Sequence, residues 1–260
     1  WAAIKNAFKT LAFSGKETVA VFGIGCSGNM NDFLWTNSIH SLHGRAIPNA
    51  VGVKIANHKL SVVVIAGDGD CYGEGGNHLI HAARGNHDIT VIVHDNRVYG
   101  LTTGQVAPTA LQGSKSKSTP AGIIEVPLNP IALALTQGAT FIAQGFAGDV
   151  VHLSDIIAKG IKHNGFSLIN IFQPCVSFNK ITTYSWYREH IYRLDENSYD
   201  ASDYKEALEK SSEFQEKIPI GVIYQTERPS YTDNLVQLKE RPLNEADLKT
   251  DIEEYLTEFE

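Results

Sequence analysis

Asp68, set in Gly67-Asp68-Gly69-Asp70, and Asn96, 28 residues further on, are the residues best suited to chemistry. A carboxylate and an amide oxygen are hard oxygen ligands. With phosphate oxygens they suit Mg2+, an ion seldom held by protein groups alone. Gly67 and Gly69 let the backbone turn tightly beside such an ion. Gly73-Glu74-Gly75-Gly76 then opens a helical stretch to about Gly85, whose first N–H groups and positive dipole end favour an anion. These types and spacings predict a magnesium diphosphate held at a strand-end crevice.

The flanking segments must position these groups. An apolar run over residues 61–66 feeds the acidic turn, and a second, 89–93, ends at Asp95-Asn96. Strand, turn, helix and strand in that order form a right-handed crossover. Asp68 and Asn96 should then meet at the carboxyl edge of a parallel sheet, where open α/β sheets bind ligands. Further helices are expected over 1–12, 46–57, 129–138 and 149–163, with Pro48 in a first turn and Asp149 as an N-cap. Further strands are expected over 18–22, 139–143, 167–172 and 218–224. The alternation argues an α/β fold, a mostly parallel sheet with helices on both faces.

The strand over 18–22 runs into Gly23-Ile24-Gly25-Cys26-Ser27-Gly28, a turn that lets backbone approach a ligand. Residues 30–39 suggest no element. Residues 103–122 form a long polar loop; its Lys115 and Lys117 read as solvated, with a substrate carboxylate as the alternative. His78 and His81 share a helix face and read as packing groups, since no third ligand accompanies them. After residue 185 aromatic and then charged residues dominate, and residues 244–260 read as an acidic helix. Residues 1–190 are therefore expected to form the binding domain, and 191–260 an extension packed on a partner or beside a cofactor.

The 260 residues are 43% apolar and 20% charged, as in a globular protein with a substantial core. A net charge of −7 without a basic block argues against nucleic-acid binding. No apolar run approaches the ~20 residues that cross a bilayer. Three cysteines, Cys26, Cys71 and Cys175, read as reduced thiols or metal ligands in a cytoplasmic chain.

Several motifs occur together in order: Leu42-His43-Gly44-Arg45, Gly67-Asp68-Gly69-Asp70, Gly76-Asn77-His78, His81-Ala82-Ala83-Arg84 and Asn96-Arg97-Val98-Tyr99-Gly100-Leu101-Thr102. Over about residues 23–179 the set resembles the β subunit of 2-oxoacid:ferredoxin oxidoreductases. The resemblance implies a thiamine diphosphate-binding fold plus the C-terminal extension. It implies Mg2+ on Asp68, Asn96 and the carbonyl of Val98. Cofactor contacts are implied for Gly25, Cys26, Ser27, His43, Gly67, Asp68, Gly69, Asp70, Asn96, Val98, Tyr99, Gly100, Leu101 and Thr102. Cys26 and Cys175 are implied as ligands of a [4Fe-4S] cluster; Cys71 reads as a packing residue.

Such a chain is half a site. The glutamate that activates the cofactor is expected on an α, or fused α/γ, subunit, so no catalytic residue is assigned here. The implied reaction is CoA-dependent oxidative decarboxylation of a 2-oxoacid, pyruvate or 2-oxoglutarate, yielding acyl-CoA, CO2 and reduced ferredoxin. An αβ heterodimer or its dimer is expected. One departure is visible. The family's Trp-Cys-x-x-Cys-Gly segment is matched only by Trp1, followed by Ala2-Ala3-Ile4, and no CxxC occurs. Either a segment is missing after Trp1 or the cluster motif is lost. Two other readings stay open: a non-oxidative thiamine diphosphate decarboxylase or synthase subunit, and a non-catalytic assembly subunit with a vestigial site.

Overall fold

Short β-branched runs bounded by glycine and polar turns build one eight-stranded sheet in the computed structural model, which describes residues 1–194, 198–214, 216–246 and 256. In chain order the elements open with α1 (Ala2–Thr10), β1 (Thr18–Phe22), β2 (Asn37–His40) and α2 (Ala46–Ala56). Next come β3 (Ser61–Gly67), α3 (Gly76–Gly85), β4 (Thr90–Asp95) and the small hairpin β5 (Val98–Tyr99) with β6 (Gln105–Val106). Then follow α4 (Pro130–Thr136), β7 (Phe141–Phe146), α5 (Val150–Lys162) and β8 (Ser167–Phe172). The last are α6 (Tyr184–His190), β9 (Ile191–Arg193), α7 (Tyr204–Ser211) and β10 (Ile218–Gln225).

The strand order is β2-β1-β3-β4-β8-β7-β10-β9. Neighbours run parallel except β10, which is antiparallel to β7. Strands β1, β4, β7 and β8 are buried along their whole length, as a sheet covered on both faces requires. One core packs α2, α3 and α4 on one face through Ala50, Leu79 and Leu135. The other packs α1 and α5 through Ile4, Ala7, Ile156 and Ile157 against Phe22, Ile65, Ile92 and Ile169.

Several expectations move by a few residues. The segment 30–39, which suggested no element, is a 3-10 helix (Cys26–Phe33) followed by the edge strand β2. The strand expected over 139–143 begins at Phe141. The turn after β3 is a π-helical turn, Gly69–Glu74, whose wide loop turns Asp70, Cys71 and Tyr72 inward. Residues 191–193 and 218–225 add two strands to the same sheet. Most of the acidic helix expected over 244–260 lies outside the described residues; Leu243–Glu245 is a 3-10 turn.

Asn86 locks this frame behind the site. It ends α3 in the left-handed conformation, at φ 52°. Its Oδ1 accepts from the Thr140 hydroxyl at 2.7 Å and from the Phe166 N–H at 2.9 Å, and its Nδ2 donates to the carbonyls of Arg228 and Pro229. At ~1 kcal/mol per buried bond, Asn86→Ala should lower unfolding stability by about 2–4 kcal/mol in urea titration. A change below ~1 kcal/mol would mean these bonds do not hold the frame.

Candidate functional site

After β1 the chain turns toward β2, whereas after β3 it crosses through α3 to β4 on the other side. A crevice opens at such a divergence. Its wall comes from four segments: Ile24, Gly25, Cys26 and Ser27 beyond β1; Gly67, Asp68, Gly69 and Asp70 beyond β3; His94 and Asn96 at the end of β4; and Val98, Tyr99, Gly100, Leu101 and Thr102. His43 and Gln173 complete it. Every cofactor contact expected from the sequence thus lies on one cleft.

Register explains the meeting of Asp68 and Asn96. Gly67 pairs with His94 across β3 and β4, so the next residues of both strands emerge together at the sheet edge. Asp68 is 1% exposed and its Oδ2 accepts from the Arg97 N–H at 2.9 Å. The same oxygen accepts from the Thr109 hydroxyl at 2.6 Å, and that hydroxyl is also 2.9 Å from Oδ1 of Asp95. Burial, reinforced by the Asp95 charge, pushes the Asp68 carboxyl up to about 8 against the pull of its hydrogen bonds. Asn96 accepts from the Val98 N–H at 3.0 Å, which turns its amide oxygen into the 96–98 bend. A carbonyl oxygen has two lone pairs, so this bond leaves room for an ion.

Asp70 is held differently. Its Oδ1 accepts from the Gly44 N–H at 2.6 Å. Burial raises its carboxyl, while the Gly44 bond and His43 oppose the shift. Nδ1 of His43 is 3.2 Å from Oε2 of Glu74 and 3.7 Å from Oδ1 of Asp70. Tyr99 lies over the turn so closely that a Cβ at Gly69 would stand 2.3 Å from its ring. Only glycine permits that approach. Burial and then the Glu74 charge raise the Tyr99 phenol, keeping it a neutral donor to Glu74 at 3.4 Å. His94 is pushed down to about 4 by burial and is neutral at pH 7.

The donor set fits a magnesium diphosphate. Asp68 is a buried carboxylate that keeps its charge at neutral pH when a cation lies beside it. Ser27 Oγ is buried on the cleft wall without a hydrogen-bond partner. Two thiols also converge here. A Cβ on Gly100 would stand 3.1 Å from Sγ of Cys26 and 3.8 Å from Sγ of Cys175. Burial, and then the Cys175 charge, raises the Cys26 thiol. Cys71 is buried in the π-turn and packs in the core. A four-iron cluster takes four thiolates as a rule, and this pair fits half of such a set. No group of three or more His, Cys, Asp or Glu able to hold a metal occurs among the described residues.

Sequence reasoning missed Ile24, His94 and Gln173 on the wall, and Thr109 beneath it. Nothing local marks Thr109, which arrives from a loop. His78 and His81 lie on α3 and are not on the wall of the cleft.

Comparison with known proteins gives a consistent picture. Residues 23–171 match the family described as thiamine pyrophosphate enzyme, C-terminal TPP binding domain. Residues 175–240 match the family described for the C-terminal part of the pyruvate ferredoxin oxidoreductase β chain. A 2-oxoacid:ferredoxin oxidoreductase subunit beta from Saccharolobus solfataricus is 42% identical, over 98% of this chain and 91% of its own. The 2-oxoglutarate synthase subunit KorB of Methanocaldococcus jannaschii is 36% identical, over 91% and 87%. A solved 2-oxoglutarate:ferredoxin oxidoreductase from Magnetococcus marinus, with 2-oxoglutarate, coenzyme A and succinyl-CoA bound, superposes with a TM-score of 0.92 at 36% identity. That match covers 100% of this chain and 88% of the other.

The raised Asp68 carboxyl has a pH signature in metal-free protein. Between its ordinary value of 3.8 and about 8 the folded state holds a proton that the unfolded state has released, so stability falls as pH rises through this window. Asp68→Asn removes that loss. Melting curves should show the variant gaining on the parent protein steadily from pH 5 to pH 8.5. A pH-independent gap would refute the burial of a titrating carboxyl at this position.

Proposed function

This chain belongs to the family of 2-oxoacid:ferredoxin oxidoreductase β subunits, and on that premise we propose how its cleft works. It is a subunit of an oxidoreductase that acts on 2-oxoacids, and its relatives' designation as β subunits implies an α partner. The reaction is CoA-dependent oxidative decarboxylation of pyruvate or 2-oxoglutarate, with ferredoxin taking the electrons. The 2-oxoglutarate, coenzyme A and succinyl-CoA named for the Magnetococcus marinus structure support this reading.

The observation that carries it is the convergence of three glycine-bearing turns and a buried carboxylate on one switch-point crevice. Asp68, the side-chain oxygen of Asn96 and the carbonyl of Val98 would hold Mg2+, whose charge would favour a diphosphate at the sheet edge. Gly25, Ser27 and Gly67 line the anion's path, with the unpartnered Ser27 hydroxyl as a donor. His43 and residues 99–102 border the diphosphate, while Asp70 braces the turn through Gly44. Bound thiamine diphosphate supplies the electron sink for loss of CO2 from the 2-oxoacid. The protein's part is to orient that group and keep water from it.

Among the described residues no glutamate lines the cleft. This supports an activating carboxylate on the α subunit. Leu42 and Leu101, beside and on the cleft wall, are 76% and 54% exposed, as apolar groups awaiting a partner would be. Residues 1–190 carry the cofactor site, and the segment from residue 191, whose strands β9 and β10 join the same sheet, packs on the partner or beside a cluster. Cys26 and Cys175 contribute two of the thiolates of a [4Fe-4S] cluster; no electron-transfer step is derived from this half set. The chain works in an αβ heterodimer or its dimer. Among the described residues no helix is long and apolar enough to cross a membrane.

Two measurements on the complex with its α subunit test this reading. Asp68→Ala should abolish calorimetric binding of thiamine diphosphate with Mg2+ and stop turnover; retained turnover would sink the magnesium assignment. Iron and acid-labile sulfide should each approach about four per β chain after the partner's clusters are subtracted. Essentially none would leave the thiamine site standing and remove the cluster assignment of Cys26 and Cys175.

A further inference from the structure

We propose that Thr109 is a positioning residue of the divalent-cation site, its hydroxyl tying Asp68 to Asp95 so that Asp68 presents one oxygen to the ion. The proposal rests on the assignment of Asp68 as a magnesium ligand. Thr109 is 4% exposed, and its Oγ1 lies 2.6 Å from Oδ2 of Asp68 and 2.9 Å from Oδ1 of Asp95. The Arg97 N–H also donates to Oδ2 of Asp68, at 2.9 Å. The Arg97 N–H and the Thr109 hydroxyl both contact Oδ2, which fixes the carboxylate's rotation and leaves Oδ1 toward the ion.

The other side of the bridge is anchored in the sheet. Oδ2 of Asp95 accepts from Nδ2 of Asn170 at 3.3 Å, and Oδ1 of Asn170 accepts from the Tyr72 hydroxyl at 2.8 Å. Thr109 therefore hands the rigidity of β4 and β8 to a carboxylate that sits beyond β3. The loop that delivers Thr109 is itself pinned. The Ala107 N–H donates to the Arg97 carbonyl at 3.3 Å, and the Leu128 N–H to the Pro108 carbonyl at 2.8 Å.

The geometry suits a cation on Asp68. A hydroxyl has one proton, and here two carboxylate oxygens compete for it. With both acids ionised, whichever receives the proton, the other faces an oxygen lone pair, and two buried charges repel at this range. A divalent ion on Asp68 turns the arrangement attractive, because it offsets the charge of both acids.

The test uses the metal-stripped complex of α and β subunits with thiamine diphosphate present. Mn2+ is titrated in and free ion is read by electron paramagnetic resonance. Thr109→Val keeps the shape and removes the hydroxyl; it should weaken Mn2+ binding about tenfold and raise the Mg2+ concentration for half-maximal turnover in proportion. Thr109→Ser should restore both, which a need for the methyl group alone would not allow. If the valine variant fails to assemble, Thr109→Ala carries the same comparison. Mn2+ affinity equal to that of the parent in a hydroxyl-free variant overturns the proposal. Asp68→Asn separates the two readings. Lost Mn2+ binding in Asp68→Asn beside normal binding in Thr109→Val removes the proposal alone, whereas normal binding in Asp68→Asn removes the metal assignment and the proposal with it.

Discussion

Two carboxylates, Asp68 and Asp95, sit 1% and 3% exposed on either side of one threonine hydroxyl, and the cleft depends on that pairing. Burial, and then the Asp95 charge, raises the Asp68 carboxyl, a cost tolerated where it serves a site. The sheet places them: Gly67 and His94 are register partners, so the residues just beyond them leave adjacent strands side by side. A cation is the natural complement of such a pair. The glycine turns around it leave the anion of a cofactor room to reach the same edge.

The cleft is built from segments distant in sequence, each held by its own device. The π-turn widens the backbone after β3 so that Asp70 folds inward against Gly44. Tyr99 closes over Gly69 from the hairpin that follows β4. Cys175, beyond the end of β8, and Cys26, beyond the end of β1, both lie beside Gly100 on the cleft wall. The cleft's exposed rim agrees with a family whose members are named as one subunit of a larger enzyme.

Most of the frame was legible because each element carries its own signal. The β-branched runs of β1, β4 and β8, the Asp149 cap of α5 and the Pro130 start of α4 are local facts, and the structure repeats them nearly residue for residue. Less legible were β2, a four-residue polar edge strand without alternation, and β9, three residues beyond a helix. Both exist because a neighbour offers free backbone groups, which no residue type announces. Strands β9 and β10 bring part of the C-terminal segment into the sheet itself.

The amino-acid sequence by itself determined the alternating α/β order, the acidic glycine turn, the partner asparagine and the family they resemble. These follow from residue type and short spacing, which act within one turn or one crossover. Tertiary structure alone decided that Thr109 stands between Asp68 and Asp95, that Asn170 and Tyr72 support Asp95 from below, and that Cys26 faces Cys175. Those pairs span 14 to 149 residues of chain. Their contacts depend on strand order and register, which emerge only when every strand has found its neighbours.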